Sequence, residues 1–170
     1  MLRLRPYKRC DAQYIVKWIK DETAFYKWSA DRYNKYPITA DDINAQYDPA
    51  ADSDTLFPMT AYDESGVVGH FIMRFTDDSK EDLRFGFIIV DDSKRGKGYG
   101  KEMLWLGLKY AFEILKVKRV TLGVFANNDP AFYCYRSIGF RPIIADGKEL
   151  TETVSIMGED WICRELEIHP

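Results

Sequence analysis

Lys94-Arg95-Gly96-Lys97-Gly98-Tyr99-Gly100-Lys101 places four cations and three glycines within eight residues, a composition suited to holding an anion. The run lies between a strand-like segment, Leu83 to Val90, and an apolar helical pattern that starts near Tyr99. Glycines there allow positive φ and close approach of backbone N–H groups, and the helix start adds unpaired donors and the positive end of its dipole. Clustered cations favour a ligand with several phosphates over a single carboxylate, because each phosphate gains its own charge-assisted hydrogen bonds. Two familiar phosphate loops do not fit. A Walker loop needs Ser or Thr after Gly-Lys, but Glu102 follows Gly100-Lys101. Gly96-Lys97-Gly98-Tyr99-Gly100 is not Gly-x-Gly-x-x-Gly, and the next strand, Arg119 to Phe125, ends in Ala126-Asn127-Asn128 with no acidic ribose ligand. An exposed glycine turn with solubilising lysines and a loop for ADP-like phosphates are the competing readings.

Arg95, Gly98 and Gly100 fill the pattern Arg/Gln-x-x-Gly-x-Gly/Ala, and a second block, Asn128, Ala131, Tyr135 and then Gly139-Phe140, follows at regular spacing. Together, over Leu83 to Phe140, these blocks resemble the GNAT superfamily of N-acetyltransferases. The opening Leu2-Arg3-Leu4-Arg5-Pro6 followed by a Trp-containing helix is similar to the branch with ribosomal-protein N-terminal and spermidine-type acetyltransferases.

The resemblance implies an acetyl-CoA cosubstrate and an α+β fold, with a mixed, mostly antiparallel sheet of six to seven strands flanked by about four helices. It implies that backbone N–H groups of Arg95, Gly96, Lys97, Gly98, Tyr99, Gly100 and Lys101 hold the pyrophosphate. Ile88, Ile89 and Val90 would pair with the pantetheine amides, an N–H near Ile89 or Val90 would face the thioester oxygen, and Asn128 would contact the same arm. Their side chains are equally explained as strand core and turn. Tyr135 corresponds to the tyrosine that protonates the departing sulfur. The implied reaction is direct attack by a primary amine, on a small molecule or a peptide N-terminus, in a ternary complex. Some relatives carry a basic Glu five residues before the motif asparagine, where this chain has Gly123. That departure leaves open a non-catalytic acyl-CoA-binding or regulatory module. Glu81, Asp82 and His70 are the candidate bases, with no assignment among them.

The 170 residues, 46% hydrophobic and 15% aromatic, are enough for one well-cored domain over 1–170. A net charge of -3 argues against nucleic acid as partner, since phosphate-tracking surfaces carry a broad basic excess. No apolar run reaches membrane length, and the charged N-terminus does not read as a signal peptide. Cys10, Cys134 and Cys163 are too few and too scattered for a disulfide framework, and two histidines give no metal site, so a reducing cytoplasm and no metal are expected.

To position these groups, Leu2 to Pro6 reads as a strand, Asp11 caps a helix from Ala12 to Ile19, and Asp21 to Pro37 is an aperiodic aromatic stretch that walls a pocket. Asp21, Glu22 and Asp31 on that stretch would suit a cationic acceptor, though solvation accounts for them equally. Thr39 and Asp42 form a capping box for a helix from Ala40 to about Tyr47. Strands follow at Thr55 to Tyr62, Val67 to Phe75 and Leu83 to Val90. A buried helix runs from Tyr99 to about Leu115, and another starts with Asp129 as N-cap and Pro130 as its first residue. Arg141 to Ile144 and Trp161 to Ile168 close the sheet, and Trp161 is a residue on which a homodimer could form.

Overall fold

The computed structural model describes residues 1–170. Its main sheet has eight strands: β1 (Arg3–Pro6), β2 (Leu56–Asp63), β3 (Gly66–Phe75), β4 (Asp82–Val90), β5 (Arg119–Phe125), β6 (Arg141–Pro142), β9 (Thr151–Ile156) and β10 (Glu159–Ile168). The order is β1-β2-β3-β4-β5-β10-β6, β9 pairs β10 as a hairpin, and β7 (Ile144–Ala145) with β8 (Lys148–Glu149) forms a separate pair. Every pairing is antiparallel except β4 with β5. The mixed, mostly antiparallel sheet is as expected. It exceeds six to seven strands because β9, rich in exposed polar residues, gave no apolar pattern to read.

Five α-helices cover it: α1 (Ala12–Trp18), α2 (Glu22–Ser29), α3 (Ala40–Tyr47), α4 (Tyr99–Lys109) and α5 (Asp129–Ile138). α2 occupies part of the stretch expected to be aperiodic. Asp21 accepts from the Ala24 N–H at 2.8 Å and so caps it, but only Phe25 and Ser29, one turn apart, are buried. Two buried residues are too few to show a period. The Thr39–Asp42 capping box forms as expected. α4 does not run on regularly to Leu115. At Tyr110–Ile114 it widens into a π turn, with the Leu115 N–H on the Tyr110 carbonyl at 3.0 Å. This turns Ile114 outward, leaving it 64% exposed. At α5 the N-cap is Asn128, and Asp129 is already helical.

The helices pack on opposite faces. Met103, Leu104 and Leu108 of α4 and Tyr135 and Ile138 of α5 share one core with Phe71, Met73, Phe85 and Leu122 of the sheet. Ile15, Trp18, Phe25 and Ile43 of α1 to α3 share another with Ile72 and Ile89. α4 is docked without clearance at Gly107, where a Cβ would stand 2.8 Å from the Phe71 ring and 3.1 Å from Phe85. Trp161 is no free dimer surface, because it is buried edge-to-face on Phe125 at 5.1 Å. No helix is long and apolar enough to cross a membrane.

Asp11, expected as a helix cap, is a buried hub. Its carboxylate accepts from both Arg5 nitrogens (2.7 and 2.9 Å), the Lys8 N–H (2.8 Å) and the Thr60 hydroxyl (2.7 Å), tying β1 and β2 to the first helical turn. Burial alone would raise its pKa, but the hydrogen bonds from Arg5, Lys8 and Thr60 together hold it below the usual value. A depressed carboxyl stabilises the fold above its unfolded pKa of about 3.9 and loses that contribution as pH falls through the folded value. Asp11→Asn is therefore expected to lower neutral-pH stability by about 3 kcal/mol, leaving Arg5 unpaired. It should also flatten the acid limb of stability below about pH 4, measured by denaturant unfolding across pH.

Candidate cofactor and acceptor site

β4 and β5 run together for three residues only: Asp82 to Arg84 pair with Arg119 to Thr121, and beyond them the strands part. A one-residue bulge in β4 lies beside the resulting gap. His70 faces Ile89 but Ile72 faces Gly86, so β4 carries one extra residue, and Phe87 has φ +47. The bulge inverts the strand's alternation. Leu83 and Phe85 pack toward α4, whereas Phe87 and Ile89, of the same parity, pack toward α1 to α3. A non-glycine residue at that φ costs about 1–2 kcal/mol. Ring contacts from Trp28 (5.2 Å), Tyr33 (6.0 Å) and Tyr47 (6.1 Å) hold Phe87 there.

Past the bulge, the Asp91 N–H donates to the Val68 carbonyl at 2.8 Å, toward β3. Strand alternation then turns the Ile89 N–H toward β3 and the backbone groups of Ile88 and Val90 into the gap. Of the two residues expected to offer an N–H there, Val90 turns its N–H into the gap and Ile89 turns its own toward β3.

The basic loop closes one end of the gap. Gly96 and Gly98 have φ of +76 and +88, and a Cβ on either would meet nothing within 4 Å. Their backbone is open to a ligand and uses the conformation that favours glycine. Gly98 caps α4, whose first internal bond is from the Glu102 N–H to the Gly98 carbonyl, so Tyr99, Gly100 and Lys101 offer N–H groups with no helical acceptor. Asp92 is engaged by Lys20, and Asp91 caps the turn through Ser93. Arg95, Lys97 and Lys101 stay exposed and unpaired. Three free cations around open N–H donors fit a diphosphate. Lys94 serves otherwise: its ammonium meets the Ser65 hydroxyl and lies 5.4 Å from the Tyr99 ring centroid. The Tyr99 hydroxyl donates to Asp63 at 2.9 Å, so the β2–β3 turn braces the loop. Hydrogen bonds from the Ser65 hydroxyl and N–H, then from Tyr99, draw the Asp63 carboxyl down to about 2.

Loop, strand and α5 converge at Gly100, where a Cβ would stand 3.6 Å from Val90 and 3.8 Å from the Cys134 sulfur. Burial pushes the Cys134 thiol up, with Lys101 partly opposing it. Next to it, Tyr135 is 7% exposed and edge-to-face with Phe140 at 6.3 Å. Burial, and to a lesser degree Cys134, raises its phenol pKa. The Asn128 side chain makes no capping bond to α5, while its carbonyl accepts the Phe132 N–H at 3.1 Å.

On the other face, a cavity of about 430 Å³ opens beside the gap, between Trp28 and Arg32 on one side and Gly86, Phe87, Gly123 and Phe125 on the other. Lys27 to Arg32 of this stretch wall the cavity, Tyr33 backs Trp28 by stacking at 5.9 Å, and Phe25 is fully buried beneath. A larger cavity of about 670 Å³, at the β1–β2 edge, is lined by no residue of β4, β5 or the basic loop.

None of the three candidate bases reaches the gap. Glu81 pairs with Lys118 and Asp82 with Arg119, at the joined end of β4 and β5. His70 is buried, its Nε2 2.7 Å from the Tyr47 hydroxyl, and burial lowers its pKa to about 3. Another carboxylate, Glu165, lines the cavity beside the gap. It lies opposite Gly123 on β10, and a Cβ on Gly123 would stand 3.4 Å from the Glu165 carboxylate and 2.9 Å from Arg84. Arg84 binds Glu165 at 2.7 and 3.2 Å, bridging from β4 to β10 across β5. Glu165 alternates with Cys163 and Glu167 on one face of the closing strand, a pattern that shows the face but not the neighbour.

Comparison with known proteins follows the same lines. Residues 1–141 match the family model described as an acetyltransferase (GNAT) domain. The spermine/spermidine N(1)-acetyltransferase of Bacillus subtilis strain 168 is 32% identical over 89 residues, 49% of this chain and 59% of that protein. The SPbeta prophage-derived uncharacterized N-acetyltransferase YokL of the same strain is 25% identical over 105 residues, 62% of this chain and again 59% of the relative. The chain thus spans under two thirds of the length of these relatives. The crystal structure of spermidine N-acetyltransferase from Vibrio cholerae in complex with CoA and spermine shares the fold at TM-score 0.82 and 21% identity, over 99% of this chain and 95% of that one. A dodecameric structure of the Vibrio cholerae enzyme in an intermediate state superposes at TM-score 0.74 and 21% identity, over 99% and 93%. With its parted strands, open basic corner and matching family model, the chain belongs to the GNAT acetyltransferase domain family, whose members use acetyl-CoA.

Proposed function

We propose that the chain is an acetyl-CoA-dependent N-acetyltransferase that passes the acetyl group to a primary amine by direct attack in a ternary complex. The observation that carries this reading is the convergence at Gly100: basic loop, gap-facing strand end and tyrosine-bearing helix meet there, with a separate cavity on the far side of the gap. Acetyl-CoA would supply the thioester. The N–H groups of Arg95 to Lys101, with the free cations of Arg95, Lys97 and Lys101, hold its diphosphate, and the backbone of Ile88 and Val90 pairs with the pantetheine arm as an added strand would. Asn128, at the turn into α5, borders that arm. The Val90 N–H is the donor aimed at the carbonyl oxygen, a role worth about 3–4 kcal/mol of barrier when such a donor is well placed.

Tyr135 is the residue set against the departing sulfur. Its raised pKa keeps the phenol protonated at neutral pH, and since a thiol has a pKa of about 8.5, the hydroxyl acts by donating a hydrogen bond to the thiolate more than by surrendering its proton outright. An alkylammonium has a pKa of about 10.4 and must lose a proton first. Water entering beside the exposed Asp31 and Arg32 takes it up. The names of the relatives make polyamines the first acceptors to try, as either monomer or oligomer. Gly123 in place of a carboxylate favours a second reading, a module that binds acyl-CoA without turnover.

Release of free coenzyme A from acetyl-CoA with a panel of amines decides between them: amine-dependent release supports transfer, and binding without release supports the module. Gly98→Val is expected to weaken acetyl-CoA binding at least tenfold by calorimetry, about 1.4 kcal/mol. Its φ strain should cost about 1–2 kcal/mol of stability, leaving the fold intact. Tyr135→Phe should lower kcat about 10²-fold while the affinity for acetyl-CoA holds. Equal turnover in the Phe variant would remove Tyr135 from the chemistry.

A further inference from the structure

A cavity built only for a polycation needs carboxylates, because each ammonium that leaves water must regain a charged partner. The 430 Å³ cavity is not built that way. Asp31, Glu152 and Glu165 reach it, but Asp31 and Glu152 are unpaired and exposed at its rim, and Glu165 is already taken by Arg84. Opposing them are Arg74 and Arg32, neither of which has a carboxylate within 4.0 Å. Arg74 is the more telling of the two. It projects from β3 opposite Arg84 and is half-buried. Burial first, then the charges of Arg84 and Arg32, push its guanidinium below its ordinary pKa. Three arginines line the cavity, and two of them lack a counter-ion. The same cavity is lined by Trp28, whose buried indole N–H has no acceptor in the protein. The unpaired carboxylates Asp31 and Glu152 are exposed, whereas the partly buried unpaired charges, Arg74 and Lys27, are cations, and the ligand that satisfies them carries oxygen acceptors and negative charge.

We infer that the acceptor amine carries an anionic group, a carboxylate or a phosphate, which seats on Arg74 with Arg32 beside it, so that the substrate is an amine with an acidic tail and not a bare polyamine. The inference rests on the transferase reading above and narrows its acceptor. Spacing follows from the register. On β3, Arg74 lies five residues from Gly69, which faces Val90, about 17 Å at the rise of a strand. With the reach of an arginine side chain deducted, amine and anion stand on the order of 10 Å apart, the span of a long ω-amino acid or a short peptide.

The test uses length-matched series of ω-amino carboxylates, ω-aminoalkyl phosphates and diamines with the wild-type chain, Arg74→Gln and Arg74→Lys. Retention of the coenzyme A thermal shift shows that each variant is folded. In the wild type, kcat/KM for the better anionic series is expected to exceed that of the matching diamine at least tenfold, and the two anionic series identify carboxylate or phosphate. Arg74→Gln should erase the preference, chiefly through KM, and raise kcat/KM for diamines a few-fold by removing a repelling charge, while Arg74→Lys keeps part of it. A wild-type preference for diamines, or an unchanged ratio in Arg74→Gln, overturns the inference while leaving the transferase reading intact. Calorimetry of the ω-amino carboxylates and aminoalkyl phosphates on the coenzyme A complex separates the opposite case. Binding that weakens tenfold in Arg74→Gln without any acetyl transfer supports the anionic seat and sinks the transferase reading. No binding by either anionic series overturns the seat.

Discussion

The whole arrangement depends on β4 and β5 separating after three paired residues. A parallel pair that parts mid-sheet leaves two rows of backbone groups with no partner, which a compact protein tolerates only where something else meets them. Here the opening is held from both ends. At the joined end, Arg84 reaches over Gly123 to Glu165 and fastens β4 to β10 across the intervening strand. At the open end, the Phe87 bulge directs β4 away, and the aromatic rings of Trp28, Tyr33 and Tyr47 fix the bulged residue. Gly123 is also the clearance through which that ion pair passes. A side chain there would displace the Cys163 sulfur, 2.8 Å from its Cβ, as well as Arg84.

The two faces of the sheet divide the work. One carries α4 and α5 and presents the basic corner, braced by Lys94 on Ser65 and Tyr99 on Asp63. The other carries α1 to α3 and the aromatic wall around the 430 Å³ cavity. The gap lies between them, so the basic corner and the cavity are brought within reach without sharing a surface. The inversion of parity at Phe87 matters for the same reason: the strand sends Leu83 and Phe85 into one core and Ile89 into the other while the backbone of Val90 stays free.

Much of the corner was readable from sequence, because its signals are local. Glycine spacing, clustered cations and the Asn128 to Phe140 block lie within short stretches, and the strand Arg119–Phe125 has the bounds expected of it. What the sequence does not display depends on distant partners. The Arg84–Glu165 pair joins residues 81 apart, and alternation along β10 cannot say which strand lies alongside. Asp11 followed the habits of an N-cap, yet burial with Arg5 and Thr60 outweighed its local role. α2 buried too few positions to display a period, and β9 buried almost none. Gly86, interrupting an apolar strand, was an available sign of the bulge, since glycine inside a strand often marks one. Which N–H would face the gap needed the register, and one residue of slip decides it.

Gly107 connects core and corner in a way that has a bearing on how the chain can vary. The Phe71 and Phe85 rings rise into the space that a side chain would fill, so α4 rests almost directly on the sheet two turns below its start. A rigid rod seated on such a pivot converts a small lift at its middle into a larger swing at its tip. Variation confined to the hydrophobic interior beneath α4 thus has leverage on a solvent-facing loop it never touches.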